Sequence, residues 1–201
     1  MVKRAFDLAF ASVVLVALVV PLAIVAAAIK FTSPGPVFYR GERVGLHGRR
    51  FRIVKFRSMV VDADRLGGSS TADDDPRITR IGRFLRRYKL DELPQFLNVL
   101  TGDMSVVGPR PQVAWAVDLY TAEERRLLDV KPGITDDASI QFRDEGAILK
   151  GAADPDRAYL EQIAPEKMRI GIKYVNEHTL LMDIGIIIRT VFAAARPGRE
   201  A

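Results

Sequence analysis

The longest hydrophobic stretch lies near the N-terminus, where residues 8–29 include no charged side chain. As a helix these 22 residues are roughly 33 Å long, which matches a hydrocarbon core of about 30 Å. Lys3 and Arg4 precede the stretch and Lys30 follows it. The pattern therefore predicts a membrane-embedded helical segment, while a cleaved signal peptide is disfavoured because its apolar region is shorter.

Two membrane topologies compete for this segment. A helix that spans the bilayer normally carries more Lys and Arg on one flank, whereas here basic residues stand on both flanks. Pro21 lies inside the segment and removes a backbone hydrogen bond, which favours a kink or a reversal. From the residues alone, a kinked span and a re-entrant hairpin remain equally open.

A polar region with alternating residues follows the turn Ser-Pro-Gly-Pro at residues 33–36. Residues 37–39 and 51–57 are rich in β-formers and are separated by a glycine-containing turn, so they predict a small β-hairpin. Basic side chains alternate along the second strand, which puts Lys55 and Arg57 on one face. Residues 62–76 have neither helical nor strand periodicity and predict a loop, whose three consecutive aspartates we interpret as a solvated charge run.

Helical periodicity returns at Ile78, with an apolar stripe and an arginine stripe. Such a basic amphipathic helix is suited to anionic lipid or to a phosphate site. A second helix with Pro94 in its first turn is predicted to end at Gly102, and an apolar stripe over residues 180–191 predicts an interfacial or core helix. The expected fold is α/β and predominantly helical, with a membrane-anchoring segment at 1–30 and a compact domain at 31–201.

The amino-acid composition excludes several kinds of chemistry for this chain. The 201 residues include no cysteine, which excludes disulfides, thiolate metal sites and thiol nucleophiles. The net charge of +5 and the pI near 9.6 indicate an anionic partner. Nucleic acid is disfavoured because no binding motif is present, and neither a Walker loop nor a dinucleotide fingerprint occurs.

The most informative polar pair is Asp91 and Glu92, which precede Pro94 directly after a strongly basic run. An isolated acidic pair at such a position is usually a helix-start feature. A carboxylate nucleophile, however, must be ionised, and nearby guanidinium groups together with a helix N-terminus are expected to lower its pKa. The same positive field would neutralise a phosphate under attack, and a carboxylate pair can hold Mg²⁺.

Arg110 is the second candidate, because prolines on both sides restrict its backbone. A pre-ordered guanidinium binds phosphate through two hydrogen bonds with little loss of entropy. Taken alone, the motif is also compatible with a rigid surface turn that carries a solvated arginine.

Eight short motifs occur in a specific order along residues 3–135. They are Lys3-Arg4-x-Phe6-Asp7, Ser33-Pro34-Gly35-Pro36-Val37, Lys55-Phe56-Arg57-Ser58-Met59, Asp75-Pro76-Arg77-Ile78-Thr79, Asp91-Glu92-Leu93-Pro94-Gln95, Gly102-Asp103-Met104-Ser105, Gly108-Pro109-Arg110-Pro111 and Lys131-Pro132-Gly133-Ile134-Thr135. Together they resemble the monotopic phosphoglycosyl transferases, also called bacterial sugar transferases. The length is similar to that of the minimal single-domain members.

The resemblance implies that Pro21 breaks a re-entrant helix, so that the protein lies on the cytoplasmic face of the bacterial inner membrane. It also implies a Mg²⁺-dependent enzyme that moves a sugar phosphate from a UDP-sugar to polyprenyl phosphate, with release of UMP, through a covalent aspartyl intermediate. The implied partners are UDP-sugar, polyprenyl phosphate and membrane lipid. Neither the sugar nor the oligomeric state follows from the sequence.

The resemblance also assigns roles to individual residues. Asp91 is the expected nucleophile and Mg²⁺ ligand, Glu92 is expected to assist as a base or to orient the acceptor phosphate, and Arg110 is expected to bind phosphate. Weaker candidates for substrate contact are Lys55, Arg57, Arg87 and Arg143. Residues 136–145 depart from the usual family pattern, which affects the expected recognition of sugar and base.

Two other functions are compatible with part of this evidence. A non-catalytic, membrane-attached basic scaffold would use the positive charge but would not need Asp91. A nucleotide-sugar hydrolase would keep the site and use water as the acceptor.

Overall fold

The computed structural model describes residues 1–195, and these residues are predominantly helical. The helices are α1 (Val2–Ala17), α2 (Val19–Thr32), α3 (Ala63–Leu66), α4 (Arg80–Arg87), α5 (Phe96–Thr101), α6 (Ala114–Asp118), α7 (Asp137–Gln141), α8 (Glu145–Ile148), α9 (Pro155–Gln162), α10 (Ala164–Glu177) and α11 (Leu180–Ala195). Three 3₁₀ helices cover Leu46–Gly48, Leu90–Gln95 and Glu124–Asp129.

The strands form two small sheets. The strands β1 (Phe38–Val44) and β2 (Arg50–Phe56) pair as an antiparallel hairpin, with Phe38 opposite Phe56 and Val44 opposite Arg50. This hairpin confirms the prediction, although β1 extends five residues beyond the predicted end. The strands β3 (Ser105–Val107) and β4 (Gly133–Thr135) pair in parallel, a pairing that the sequence patterns did not predict.

The N-terminal hydrophobic segment forms a bent pair of helices, α1 and α2, which meet at Leu18 with an angle of 63°. Pro21 has no N–H to donate to the carbonyl of Ala17, and its ring would clash with that carbonyl in a straight helix. The chain resumes helical hydrogen bonding when Leu22 N donates to Leu18 O at 2.8 Å. The bend therefore lies three residues before the proline that explains it.

The length and hydrophobicity of the described helices determine which of them could cross a bilayer. Within residues 1–195, no single helix is both long and apolar enough to cross one, whereas α1 and α2 together meet that standard as a bent pair. Exposed apolar side chains along the pair include Val13, Val16, Val20 and Ile24. The boundary predicted after residue 30 stays a prediction.

Both ends of the bent pair contact the rest of the protein. At the start of α1, Lys3 Nζ lies 2.6 Å from Asp183 Oδ2 on α11, and the buried carboxylate of Asp7 accepts hydrogen bonds from Ser105 Oγ and Val106 N. At the end of α2, Ile29 is fully buried in a cluster with Phe56. Both arms are thus held against the rest of the protein.

The main core lies beneath the hairpin, where α1, α5, β3 and α11 pack together. Its buried apolar residues include Val99, Met104, Val107 and Ile186. The helix α11 buries Ile186 but exposes other apolar side chains, such as Phe192, on its opposite face. The predicted amphipathic C-terminal helix is therefore present.

The polar segment 62–76 is more ordered than the sequence predicts. It includes the short helix α3, and Asp75 does not remain solvated, because its carboxylate forms an ion pair with Arg77 at 2.7 Å. The residues described by the structure show no cluster of three or more acidic or histidine side chains able to hold a metal ion. The interpretation of the aspartates as a simple solvated run is thus wrong for Asp75.

Candidate active site

The acidic pair lies on a short 3₁₀ helix, Leu90–Gln95, that follows the basic helix α4. Between the two helices, Lys89 adopts a left-handed conformation with φ of 55°, which turns the chain sharply. Pro94 lies near the end of this short helix and has no backbone N–H, which is tolerated close to the start of a helix. The helix α5 follows directly from Phe96. The acidic pair is thereby fixed between the basic helix and the core.

Glu92 joins two cations that are far apart in the sequence. Its Oε1 accepts a hydrogen bond from Lys55 Nζ at 2.8 Å, and its Oε2 accepts one from Arg110 Nη1 at 3.0 Å. Arg110 Nη2 also contacts Oε1, so the guanidinium grips the carboxylate with two hydrogen bonds. The structure therefore brings together Lys55, Glu92 and Arg110, three of the predicted site residues.

These contacts shift the protonation of the cluster. Burial raises the pKa of Glu92, but the charges of Arg110 and Lys55 outweigh burial and hold that pKa well below its usual range. Burial lowers the pKa of Lys55 to about 8, although the charge of Glu92 acts in the opposite direction. A carboxylate held this firmly in its ionised form is a poor general base, so its contacts favour a positioning role.

Asp91 differs from its neighbour, since it is only 6% exposed and its Oδ1 is buried without a hydrogen-bond partner. Burial and the adjacent charge of Glu92 raise the pKa of Asp91 above its ordinary value, whereas Lys55, Arg86 and Lys89 act to lower it. The expectation of a lowered pKa is therefore wrong for the free protein. Desolvation exceeds the cationic field because the carboxylate has no direct partner.

An arginine outside the predicted site residues contributes to the charge around this carboxylate. Arg86 is half-buried and contributes to the electrostatics of Asp91, whereas Arg87 is exposed and its guanidinium lies 5.9 Å from the ring centroid of Tyr88. The sequence placed Arg83 and Arg87 on one stripe but did not single out Arg86. The predicted contact of Arg87 with substrate stays a prediction.

Arg57 is also placed away from the acidic pair. It is 6% exposed, and it donates hydrogen bonds to Pro36 O, Pro34 O and Ser33 O at 2.6–2.9 Å, as well as to Ser33 Oγ. The guanidinium therefore closes the turn after α2. These contacts give Arg57 a structural role at this turn, and its predicted contact with substrate stays a prediction.

Arg110 owes its position to a close backbone contact. Gly108 and Gly133 face each other where β3 pairs with β4, and a Cβ on Gly133 would lie 2.1 Å from Gly108 N. Only glycine permits this approach, which explains why two distant motifs both include it. The contact brings the Gly-Pro-Arg-Pro and Lys-Pro-Gly motifs together.

Arg143 lies in the turn before α8 and is half-buried, with its Nη2 buried and without a hydrogen-bond partner. No described contact joins it to Asp91 or Glu92. Its predicted role in substrate binding stays a prediction.

The buried Asp91 Oδ1 is the kind of hard oxygen that Mg²⁺ prefers. Because Mg²⁺ commonly uses one or two protein carboxylates and completes its shell with water and substrate phosphates, a lone available carboxylate fits such an ion. Glu92 is a weaker candidate, since its two oxygens are already bound to Lys55 and Arg110.

Comparison with known proteins identifies the family. The family model described as bacterial sugar transferase matches residues 1–197. The chain is 38% identical over 200 residues to the UDP-glucose:undecaprenyl-phosphate glucose-1-phosphate transferase of Escherichia coli, with 96% of this chain and 40% of that protein covered. It is 37% identical to a UDP-N-acetylgalactosamine-undecaprenyl-phosphate N-acetylgalactosaminephosphotransferase of Aeromonas hydrophila, with 94% and 43% covered.

A shorter relative is covered more fully. The UDP-glucose:undecaprenyl-phosphate glucose-1-phosphate transferase of Caulobacter vibrioides is 39% identical over 193 residues, which cover 94% of this chain and 68% of the relative. The chain spans about two fifths of the length of the Escherichia coli and Aeromonas relatives. The family match, in contrast, covers nearly the whole chain, and the chain therefore belongs to the bacterial sugar transferase family.

Proposed function

We propose that this chain is a phosphoglycosyl transferase that moves a sugar phosphate from a UDP-sugar to polyprenyl phosphate. The products are polyprenyl-diphosphate-sugar and UMP, and the reaction starts the synthesis of a bacterial glycoconjugate. The printed names of the relatives from Escherichia coli, Aeromonas hydrophila and Caulobacter vibrioides support this class of reaction. The observation that carries the proposal is the buried, unpartnered Asp91 Oδ1 beside a cluster of bound cations.

The proposed first step uses Asp91 as the nucleophile. One of its carboxylate oxygens attacks the β-phosphorus of the UDP-sugar, and the bond from that phosphorus to the bridging oxygen of UMP breaks. UMP leaves with the bonding electrons, and a phosphosugar-aspartyl intermediate remains. Lys55 and Arg110 would bind phosphate oxygens, because their charges offset the repulsion between the carboxylate and the donor.

In the proposed second step, an oxygen of polyprenyl phosphate attacks the same phosphorus. The bond to Asp91 breaks, and the free carboxylate is restored. Glu92 positions Lys55 and Arg110 in both steps, since it contacts both side chains. A bound Mg²⁺ would supply positive charge that favours the ionised form of Asp91 and neutralises phosphate oxygens.

The bent helices suit a lipid acceptor. Both arms of the pair contact the rest of the protein, Lys3 through Asp183 at one end and Ile29 through its cluster with Phe56 at the other. We propose that they form a re-entrant, monotopic anchor at the cytoplasmic face of the bacterial inner membrane. A phosphate at the lipid headgroup level could then reach Asp91 while its polyprenyl chain stays in the bilayer.

Intact-protein mass spectrometry tests this function. Wild type, Asp91→Asn and the matched exposed control Asp118→Asn are incubated with Mg²⁺ and a panel of UDP-sugars, without lipid. We expect a sugar-phosphate adduct on wild type and Asp118→Asn only, and we expect polyprenyl phosphate to remove it.

Other results would contradict the proposal. UMP release that is unchanged in Asp91→Asn would exclude Asp91 as the nucleophile. Release of sugar phosphate to water, with no transfer when polyprenyl phosphate is present, would identify a hydrolase. A complete absence of turnover with every donor would favour the non-catalytic scaffold.

A further inference from the structure

An apolar cleft lies where the two arms of the bent helix pair meet the β-hairpin and the start of α5, and the proposed chemistry makes no use of it. Its volume is about 180 Å³, and all of its lining residues are apolar. Beside a contribution from α1, they include Leu22 and Ala23 of α2, Phe38 and Phe56 of the hairpin, and Pro94 and Leu97.

Pro94 joins this cleft to the proposed nucleophile. Asp91 and Pro94 lie three residues apart on the 3₁₀ helix Leu90–Gln95. Because such a helix has about three residues per turn and rises about 2 Å per residue, the two residues share a face and are about 6 Å apart along the axis. The wall of the apolar cleft therefore begins one turn away from the buried carboxylate.

Two aromatic rings give the cleft a fixed shape. The rings of Phe38 and Phe56 stack with their centroids 5.4 Å apart and an interplanar angle of 15°. Phe56 belongs to the buried cluster that includes Ile29 and Leu85, whereas Phe38 and Leu97 stay exposed. The cleft thus has a well-packed floor and exposed apolar side chains at its mouth.

We propose that this cleft binds the first isoprene unit of the polyprenyl phosphate acceptor and so places the acceptor phosphate at Asp91. The inference rests on the proposed function. To attack the intermediate on a buried carboxylate, the phosphate has to move from the headgroup layer into contact with the protein, and it draws the adjoining carbon atoms with it. An apolar cleft beside Asp91 keeps those carbon atoms out of water, which is favourable in proportion to the apolar area that is covered.

The volume of the cleft fits one such unit. A dry apolar cavity of about 150 Å³ holds one molecule of benzene, which is similar in size to an isoprene unit. The cleft, at about 180 Å³, therefore accommodates the unit next to the phosphate and leaves the rest of the chain in the bilayer.

Two other occupants match the cleft less well. The acyl chain of an ordinary phospholipid gains little when it leaves the bilayer, because the surrounding lipid tails are equally apolar. A second copy of this chain would need a much broader surface, since specific protein interfaces bury more than about 1,000 Å². The isoprene unit differs from both, because Lys55 and Arg110 would attract the phosphate to which it is attached.

The two proposed steps allow the cleft to be tested separately, because only the second step uses the lipid. Ala23→Leu adds bulk to the cleft, and Ala27→Leu makes the same change at an exposed position of α2 outside its lining. Each protein is loaded with sugar phosphate from a UDP-sugar and Mg²⁺. Loss of the adduct is then followed by intact-protein mass spectrometry after polyprenyl phosphate is added in detergent micelles.

We expect Ala23→Leu to form the adduct at the wild-type rate but to lose it about tenfold more slowly at sub-saturating acceptor. In steady state, kcat/KM for polyprenyl phosphate should fall by the same factor, while kcat/KM for the UDP-sugar should stay unchanged. Ala27→Leu should match wild type in both measurements. Leu97→Phe, which adds bulk from α5, is the second cleft variant if Ala23→Leu fails to fold.

A second measurement tests whether the shape of the isoprenoid is recognised. Farnesyl phosphate and dodecyl phosphate have main chains of equal length, but only the farnesyl chain has methyl branches and double bonds. We expect kcat/KM of wild type to be about tenfold higher for farnesyl phosphate, since a hydrophobic pocket discriminates a methyl-sized difference by about this factor. Ala23→Leu should lose most of this preference.

Three results would overturn the cleft assignment. They are loss of the adduct at the wild-type rate in the folded cleft variants, equal slowing in Ala27→Leu, and equal use of farnesyl and dodecyl phosphate by wild type. In each case wild type still transfers sugar phosphate to polyprenyl phosphate, so the proposed function stands. Wild type that transfers sugar phosphate from no UDP-sugar would instead reject the proposed function, and the cleft assignment with it.

Discussion

Lys55 Nζ lies 2.8 Å from Glu92 Oε1, and this ion pair joins the β-hairpin to the short helix that carries Asp91. The two side chains are 16% and 13% exposed, so the charges are close together with little water between them. Arg110 contacts the same carboxylate from a third segment. Glu92, although acidic, therefore holds in place two of the positive charges near Asp91, those of Lys55 and Arg110.

The pKa of Lys55 predicts an alkaline limit to donor binding. Burial lowers this pKa to about 8, so the free protein loses a phosphate-binding charge as the pH rises through that value. We expect kcat/KM for the UDP-sugar to fall above pH 8 in wild type. Lys55→Arg should move this limb to higher pH, because arginine stays protonated, whereas the exposed control Lys173→Arg should not.

The titration of Lys55 should affect stability in the opposite direction to activity, so that stability increases where kcat/KM falls with rising pH. The ammonium has its ordinary pKa of 10.5 in the unfolded chain and about 8 in the folded one, so the unfolded chain binds more protons between these values. The free energy of unfolding should therefore gain a contribution as the pH rises from 8 to 10.5. Denaturant titrations across this pH window should show that the free energy of unfolding rises more with pH for wild type than for Lys55→Met. An equal dependence on pH in the two proteins would mean that Lys55 does not contribute.

Asp91→Asn should raise the melting temperature while it abolishes transfer. Burial raises the pKa of Asp91, so its ionised form is less favourable in the folded protein than in the unfolded chain. An amide removes this cost, and each kcal/mol corresponds to roughly 2–4 °C in a chain of this size.

The advantage of Asp91→Asn should depend on pH. It should be small below the ordinary carboxyl value of 3.8 and should grow as the pH rises through the raised value, as differential scanning fluorimetry can measure. A melting temperature below that of wild type at neutral pH would mean that the cations stabilise the ionised carboxylate after all.

Arg57→Met should destabilise the protein without weakening donor binding. Its removal leaves the carbonyl groups of Ser33, Pro34 and Pro36 without their buried donor, which costs about 2–4 kcal/mol. The exposed Arg83→Met serves as the control. Protein that remains folded should keep its KM for the UDP-sugar, and a raised KM at an unchanged melting temperature would restore Arg57 as a substrate-binding residue.

Lys3 and Asp183 should be strongly coupled. Asp183 is 0% exposed, and among the described hydrogen bonds its carboxylate accepts only from Lys3 Nζ and the Tyr174 hydroxyl, so Lys3→Met leaves a buried carboxylate poorly compensated. We expect a loss of about 3–5 kcal/mol. The double variant Lys3→Met with Asp183→Asn should recover much of this lost stability. If the losses of the two single variants simply add in the double variant, the coupling is excluded. Lys30→Met, at the exposed end of α2, should have little effect.

The proposed hairpin predicts that the N-terminus and the catalytic residues lie on one side of the membrane. Because the chain has no cysteine, Val2→Cys and Asp118→Cys each introduce a single thiol. An impermeant maleimide should label both from the cytoplasmic side in oriented vesicles. Labelling from opposite sides would identify a spanning helix.

Pro21→Ala tests the cause of the bend. Alanine can donate its N–H to the carbonyl of Ala17 and removes the ring clash, so a straighter helix becomes possible. When this change is added to Val2→Cys, we expect a fraction of the protein to be labelled from the opposite side. An unchanged pattern would mean that contacts such as Lys3 with Asp183 suffice to hold the hairpin.

Local patterns were sufficient for many elements. The hairpin, the helix after Thr79, the helix end at Gly102 and the amphipathic C-terminal helix all follow from periodicity and from turn or cap residues, which act over a few neighbours. Thr121 and Glu124 form a capping box of the same local kind, because Glu124 N donates to Thr121 Oγ1 and Thr121 N donates to Glu124 Oε2.

Roles that depend on distant residues did not follow from local patterns. Arg57 and Lys55 alternate on one predicted strand, yet one binds the turn after α2 and the other binds Glu92. Likewise, the sequence could not rank desolvation of Asp91 against its cations, since burial depends on the whole fold. The parallel contact of β3 with β4 joins segments about 28 residues apart and has no local signal.

By itself, the sequence determined the β-hairpin, the helix after Thr79, the helix end at Gly102 and the C-terminal helix. It also determined the apolar segment with Pro21 and the acidic pair with its basic surroundings, because each depends on composition and spacing. Only the tertiary structure decided that Glu92 holds Lys55 and Arg110 while Asp91 stays unpartnered. The physical reason is that ion pairing and desolvation depend on distance and burial, which are established when segments remote in the chain pack together.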